Sequence, residues 1–171
     1  MISKHLNDEL NKQITYEFYS SHLYLAMSGK LASIDFIGAA TWMRTQAEEE
    51  RIHALKIMDY IIEAGGEVVI TGFEDPTVNA NDIKGIFEQG LEHEKFVTGR
   101  INFLMDLATE EKNYAAVNFL NWFVDEQVEE ESNAETIIRS LKLIGNDGNG
   151  LYQIDKELGA RISVGTGTAK A

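Results

Sequence analysis

Glu50 and His53 stand three residues apart in Glu48-Glu49-Glu50-Arg51-Ile52-His53. Met43, Glu50, His53, Ile57 and Ile61 recur at helical spacings and so share one face. That face should be buried, which turns a carboxylate and an imidazole together into a core. Charged groups are rarely placed there without a partner. A divalent cation is one such partner, and Glu-x-x-His on a helix lets both side chains reach one ion.

The elements that must position this pair follow from hydrophobic period and breakers. A first helix spans about Ser3 to Ala32, with Leu10, Ile14, Glu17, Ser21, Tyr24, Ser28 and Leu31 on one stripe. Ser33-Ile34-Asp35 is a short break, with Asp35 as candidate N-cap. A second helix runs from about Phe36 to Ala64 and stops at Gly65-Gly66. Residues 66–82 carry no helical period; fully extended they reach roughly 55 Å. A helix of about 28 residues is roughly 42 Å long, so this connection can run the length of a bundle. A third helix from about Ile83 to Thr109 has the stripe Phe87, Gly90, Glu94, Val97, Ile101, Leu104 and Ala108. After a break near Lys112-Asn113, a fourth runs from about Tyr114 to Ile144. Its stripe is Ala116, Leu120, Phe123, Gln127, Glu130, Ala134, Ile137, Leu141 and Ile144. A glycine-rich hinge, Gly145 to Gly150, leads to a short amphipathic helix with Leu151, Ile154, Leu158 and Ile162 on one face. Ser163 to Ala171 reads as a disordered tail. Two short breaks and one long crossover predict an all-α four-helix bundle with a short fifth helix, one domain over residues 1–162.

Each of the four stripes is broken at mid-length by metal-capable groups: Glu17, Glu50 with His53, Glu94, and Gln127 with Glu130. Taken singly, each has a bland explanation: an exposed carboxylate, a hydrogen-bonded core histidine, a buried polar amide. Their coincidence at one depth predicts a metal centre. Oxygen and imidazole donors suit iron or manganese, and zinc can enter. Glu50 lies between the two clusters and could bridge two ions about 3.5–4 Å apart. Tyr24 is either a core aromatic with a satisfied hydroxyl or a redox-active neighbour of the metals. Glu49, Glu126 and Glu129 lie one residue off the stripes, as a solvated acidic face or as a third cation site. Trp122 reads as packing, and His5, His22 and His93 as surface or hydrogen-bonded histidines.

The totals exclude much else. Without cysteine among 171 residues, disulfides, zinc–thiolate sites and iron–sulfur clusters are absent, and a reducing cytoplasm is the expected setting. A formal charge of −13 argues against sequence-independent nucleic-acid binding. No signal-peptide core or membrane-spanning run is visible. A single proline, Pro76, favours long helices.

Glu17, Tyr24, Glu49-Glu50-x-x-His53, Glu92-His93-Glu94, Asn118-Phe119-Leu120-x-Trp122 and Glu126-Gln127-x-x-Glu130 resemble a non-haem bacterial ferritin, as does Leu143-Ile144-Gly145 before Gly150-Leu151-Tyr152. The resemblance covers the chain to about Arg161. It implies a hollow homo-oligomer of twenty-four subunits that oxidises Fe(II) with oxygen or hydrogen peroxide and stores ferric mineral. It also implies Glu17, Glu50 and His53 on a first iron, and Glu50, Glu94 and Glu130 on a second with Gln127 nearby. Glu49, Glu126, Glu129 and Glu130 match a third site, and the fifth helix would line a four-fold axis. Where bacterioferritins carry a haem-binding methionine and a second Glu-x-x-His, this chain has Arg51 and Gln127-x-x-Glu130, which argues against haem. The rival readings are a rubrerythrin-like di-iron oxidase or peroxidase without storage, and a metal-free helical interaction protein.

Overall fold

The computed structural model describes residues 2–161. Five helices follow one another: α1 (Lys4–Ala32), α2 (Ile37–Glu63), α3 (Ile83–Glu110), α4 (Tyr114–Ile144) and α5 (Gly148–Gly159). Side-chain caps fix four of the starts. Ser3, Asp82, Asn113 and Asp147 accept hydrogen bonds from Leu6, Gly85, Ala116 and Gly150 backbone N–H groups, satisfying donors that a helix start leaves open.

The start of α2 differs from the expectation. Asp35 does not cap it; this residue sits in the left-handed region at φ 66°, and Phe36 is the cap position without a side-chain bond. The cap comes instead from α5. Asp155 accepts from Gly38 N at 3.0 Å and Ala39 N at 2.8 Å, the job an N-cap carboxylate would do locally. Close approach makes this feasible: a Cβ on Gly38 would lie 1.7 Å from the Asp155 carbonyl oxygen, and one on Gly159 would lie 3.0 Å from Gly38 Cα. The fifth helix therefore packs on its own chain, burying Ile154 and Leu158 near Trp42. It also begins inside the expected hinge, at Gly148, because Asp147 caps it. Ile162 and the expected tail, 163–171, lie outside the described residues.

The crossover lies along α1. Asn7 and Asn11 donate to Glu67 O at 3.1 and 2.8 Å, and Asn11 accepts from Val69 N at 2.7 Å. Thr15 meets Thr71 at 2.7 Å, and Lys30 donates to Asn81 at 3.0 Å. The connection thus travels nearly the whole of α1, as its reach allowed.

The apolar core is divided in two. One cluster holds Leu23, Met27, Met43, Ala47, Phe87, Ile138 and Leu141. The other holds Leu10, Ile14, Ala54, Ile57, Val97, Ile101, Leu120 and Phe123. Along α1 and α3 the two clusters stop at Ile14 and Phe87 and resume at Leu23 and Val97; along α2 and α4 they stop at Ala47 and Phe123 and resume at Ala54 and Ile138. The waist between them is where the polar interruptions fall. On α4 it is Ile138, not the expected Ile137, that is fully buried; Ile137 packs at the margin.

Candidate metal centre

All six waist residues are buried: Glu17, Glu50, His53, Glu94, Gln127 and Glu130 expose between 1% and 5% of their surface. Antiparallel helices bring them to one depth. His53 Nδ1 lies 3.4 Å from Glu50 Oε2 and 4.0 Å from Glu17 Oε2. Glu17, Glu50 and His53 can each offer an atom within 4.8 Å of the other two, a set one cation could hold. Glu17 Oε2 has no hydrogen-bond partner although it is buried. A buried carboxylate oxygen without a hydrogen bond, 4.0 Å from an imidazole nitrogen, is chemistry that suits a cation.

Glutamine amides hold one oxygen of each waist carboxylate. Gln13 donates to Glu17 Oε1 at 2.9 Å. Gln46 donates to Glu50 Oε1 at 3.0 Å and to Glu130 Oε2 at 2.7 Å, tying α2 to α4. Gln127 donates to Glu94 Oε2 and to Thr98 Oγ1, each at 3.2 Å. Tyr24 donates to Glu94 Oε1, so both oxygens of Glu94 carry a donor. Tyr24 therefore has the satisfied hydroxyl and at the same time touches a metal-capable carboxylate. Gln127 presents its nitrogen, and so orients Glu94, in this arrangement. Gln13 and Gln46 were not singled out from sequence; the signal was there, since each sits four residues before a waist glutamate on the same helix face.

Burial shifts the waist carboxylates toward their protonated forms. Loss of solvation, then the neighbouring Glu50 charge, pushes Glu17 up to about 8. Loss of solvation also carries Glu50 and Glu130 well above the carboxylate range, with the Glu94 charge adding to both and the Glu50 charge adding to Glu130. Glu94 rises too through burial, opposed by the Tyr24 and Gln127 hydrogen bonds. Burial, then the Glu94 charge, pushes the Tyr24 phenol up. A cation reverses this by neutralising the repulsion, so binding is coupled to proton release.

The outer carboxylates separate. Glu126 and Glu130 can meet His53 in a second three-residue set, again with atoms within 4.8 Å. Glu129 is exposed. Glu49 is turned toward Arg161, whose Nη2 lies 2.5 Å from Glu49 Oε2. Trp122 packs its ring edge-on against His53 at 5.3 Å and carries Lys56 at 4.2 Å on its own ring. His93 meets Ser20 Oγ at 2.7 Å, and burial lowers it to about 4; His5 and His22 are exposed.

A four-helix bundle with one long crossover and a carboxylate–imidazole waist defines a protein of the helical-bundle, carboxylate-centre class. Residues 7–144 match the Ferritin family, described as a ferritin-like domain. The chain is 45% identical over 161 residues to a Staphylococcus saprophyticus protein named bacterial non-heme ferritin, covering 94% of this chain and 96% of that one. A Haemophilus influenzae protein named probable bacterial non-heme ferritin-like protein is 42% identical over 159 residues, covering 93% and 96%. Among solved structures, the open pore ferritin of Archaeoglobus fulgidus superposes with a TM-score of 0.93 at 43% identity, covering 95% of this chain and 100% of that one. The chain belongs to the ferritin family. Among the described residues, no helix is long and apolar enough to cross a membrane.

Proposed function

We propose that this protein stores iron: it oxidises Fe(II) at a dinuclear centre in the bundle waist and holds the Fe(III) product as mineral inside a hollow shell of twenty-four copies. The observation that carries the reading is the convergence of Glu17, Glu50 and His53 on one point, with Glu94, Gln127 and Glu130 beside them. Membership of the ferritin family supports it. In this reading Glu17, Glu50 and His53 bind the first Fe(II), and Glu50, Glu94 and Glu130 bind the second, with Glu50 between them.

Carboxylates are hard donors that favour the ferric over the ferrous ion. Two Fe(II) give up two electrons. Dioxygen accepts them with two protons as hydrogen peroxide, or peroxide itself accepts them with two protons as water. Burial pushes the waist carboxylates toward their protonated forms, Glu17 up to about 8, so iron binding there displaces protons. The His53 side offers nitrogen and the Glu94–Glu130 side only oxygen, which leaves the second ion the more loosely held. Tyr24, bonded to Glu94, keeps that carboxylate aimed at the second ion. A third ion would sit on the outward side near Glu126 and Glu130, and would reach Glu49 and Glu129 only if those side chains turned toward it. A cytoplasmic setting and a haem-free subunit complete the reading.

A Glu50→Ala variant tests the assignment. It should assemble normally, since no apolar anchor is lost, and should lose the rapid phase of Fe(II) oxidation. An unchanged initial rate sinks it.

A further inference from the structure

Arg161 follows the last residue of α5 by two positions and reaches back to α2. Its Nη1 donates to Gln46 Oε1 at 2.8 Å, and its Nη2 donates to Glu49 Oε2 at 2.5 Å. Its guanidinium lies 4.3 Å from the centre of the Trp42 ring. Trp42, Gln46 and Glu49 are spaced four and three residues apart, so one face of α2 receives the whole guanidinium. The pair is shielded, with 19% of the Arg161 side chain and 13% of the Glu49 side chain exposed. A planar cation with two directed donors and an aromatic platform is held far more firmly than a surface ion pair.

Two consequences meet at the metal centre. Glu49 is the carboxylate next to Glu50, and the guanidinium already satisfies its charge. Gln46 accepts from Arg161 with its oxygen, which leaves its amide nitrogen to donate to Glu50 and Glu130. The guanidinium therefore fixes which way round that amide stands. We propose that Arg161 is a tethered cation that occupies the outer position at Glu49, keeping a third divalent ion weakly bound while orienting Gln46 toward the inner carboxylates. This rests on the dinuclear reading above. A third ion can settle on Glu49 only by displacing the guanidinium. Because Arg161 hangs from α5, whose Asp155 caps α2, the seating of the fifth helix sets how readily that displacement occurs.

The test is titration of cation-free assembled protein with Zn(II), a redox-silent probe, by calorimetry at fixed pH. Wild type and Arg161→Lys, which keeps a tethered charge, should take up two ions tightly and a third weakly. Arg161→Gln should take up the third at least tenfold more tightly, and Arg161→Gln with Glu49→Gln should lose that gain. Two tight ions with an unchanged third affinity in Arg161→Gln, or a gain that survives loss of the Glu49 carboxylate, overturns the inference alone. Failure of wild type and every variant to take up the two inner ions overturns the dinuclear reading and this inference with it.

Discussion

Replacing Glu17 with glutamine should stabilise the cation-free protein while weakening its hold on cations. Glu17 is buried, one of its oxygens lacks a partner, and its pKa is pushed from an ordinary value of 4.5 up to about 8. Folding must therefore oppose ionisation of this acid. A group whose folded pKa is raised contributes no penalty well below its unfolded value and costs progressively more as pH climbs toward the folded value. For these two values the cost is about 1 kcal/mol at pH 5, about 3 kcal/mol at pH 7 and about 4 kcal/mol at pH 8. Glutamine keeps the shape and can still accept from Gln13, yet it never ionises. In thermal melts of chelator-treated protein, the variant should be the more stable, and its advantage should widen from pH 5 to pH 8. At pH 7 about 3 kcal/mol corresponds to roughly 6–12 °C for a domain of this size. With Zn(II) added the order should reverse, because wild type gains more from binding. A variant that melts at or below wild type across that pH range without cations would refute the reasoning.

The same protonation predicts that Zn(II) binding to wild type at pH 7 releases protons and tightens as pH rises toward about 8; titrations in buffers of different ionisation enthalpy read the count, and zero release contradicts it. Gln46→Leu should weaken inner-site Zn(II) affinity roughly 10–100-fold, the usual effect of losing a group that orients ligands, and calorimetry showing no change would remove Gln46 from that role. Asp155→Ala should cost about 1 kcal/mol through the lost cap of α2 and speed amide exchange at Gly38 and Ala39 in particular; exchange unchanged there would show that the cap is immaterial. Gly38→Ala should displace α5 more severely, because the new methyl would meet the Asp155 backbone, and protection lost along α5 in hydrogen exchange is the readout.

Bundle and waist were legible because they rest on period. Each largely apolar or small stripe is interrupted at mid-length by one or two metal-capable side chains, and the interruption is visible without knowing any neighbour. Helix starts near Ser3, Asp82 and Asn113 were equally local, whereas the start of α5 at Asp147 was hidden by the glycines that read as a hinge. What escaped notice depends on partners distant in sequence. Asp155 caps a helix that begins more than a hundred residues earlier, so Asp35, in the right place locally, drew the assignment. Arg161 lies 112 residues from Glu49, and nothing in either neighbourhood announces the pair. Its presence changes how Glu49 reads, from an open cation ligand to one already engaged. Ile137 and Ile138 are both apolar, and a drift of one residue late in a 31-residue helix exchanged them.

Aerobic loading of chromatographically sized protein with increasing Fe(II) tests the central claim most directly. Fe(II) is first added anaerobically to cation-free protein, oxygen is admitted, absorbance follows oxidation, and retained iron per chain is measured. Rapid oxidation in a very large particle that keeps iron far beyond the two or three ions per chain proposed for the waist is the result expected of storage. A small particle that saturates near two ions per chain would contradict it, and would make the waist the redox centre of an enzyme that stores nothing.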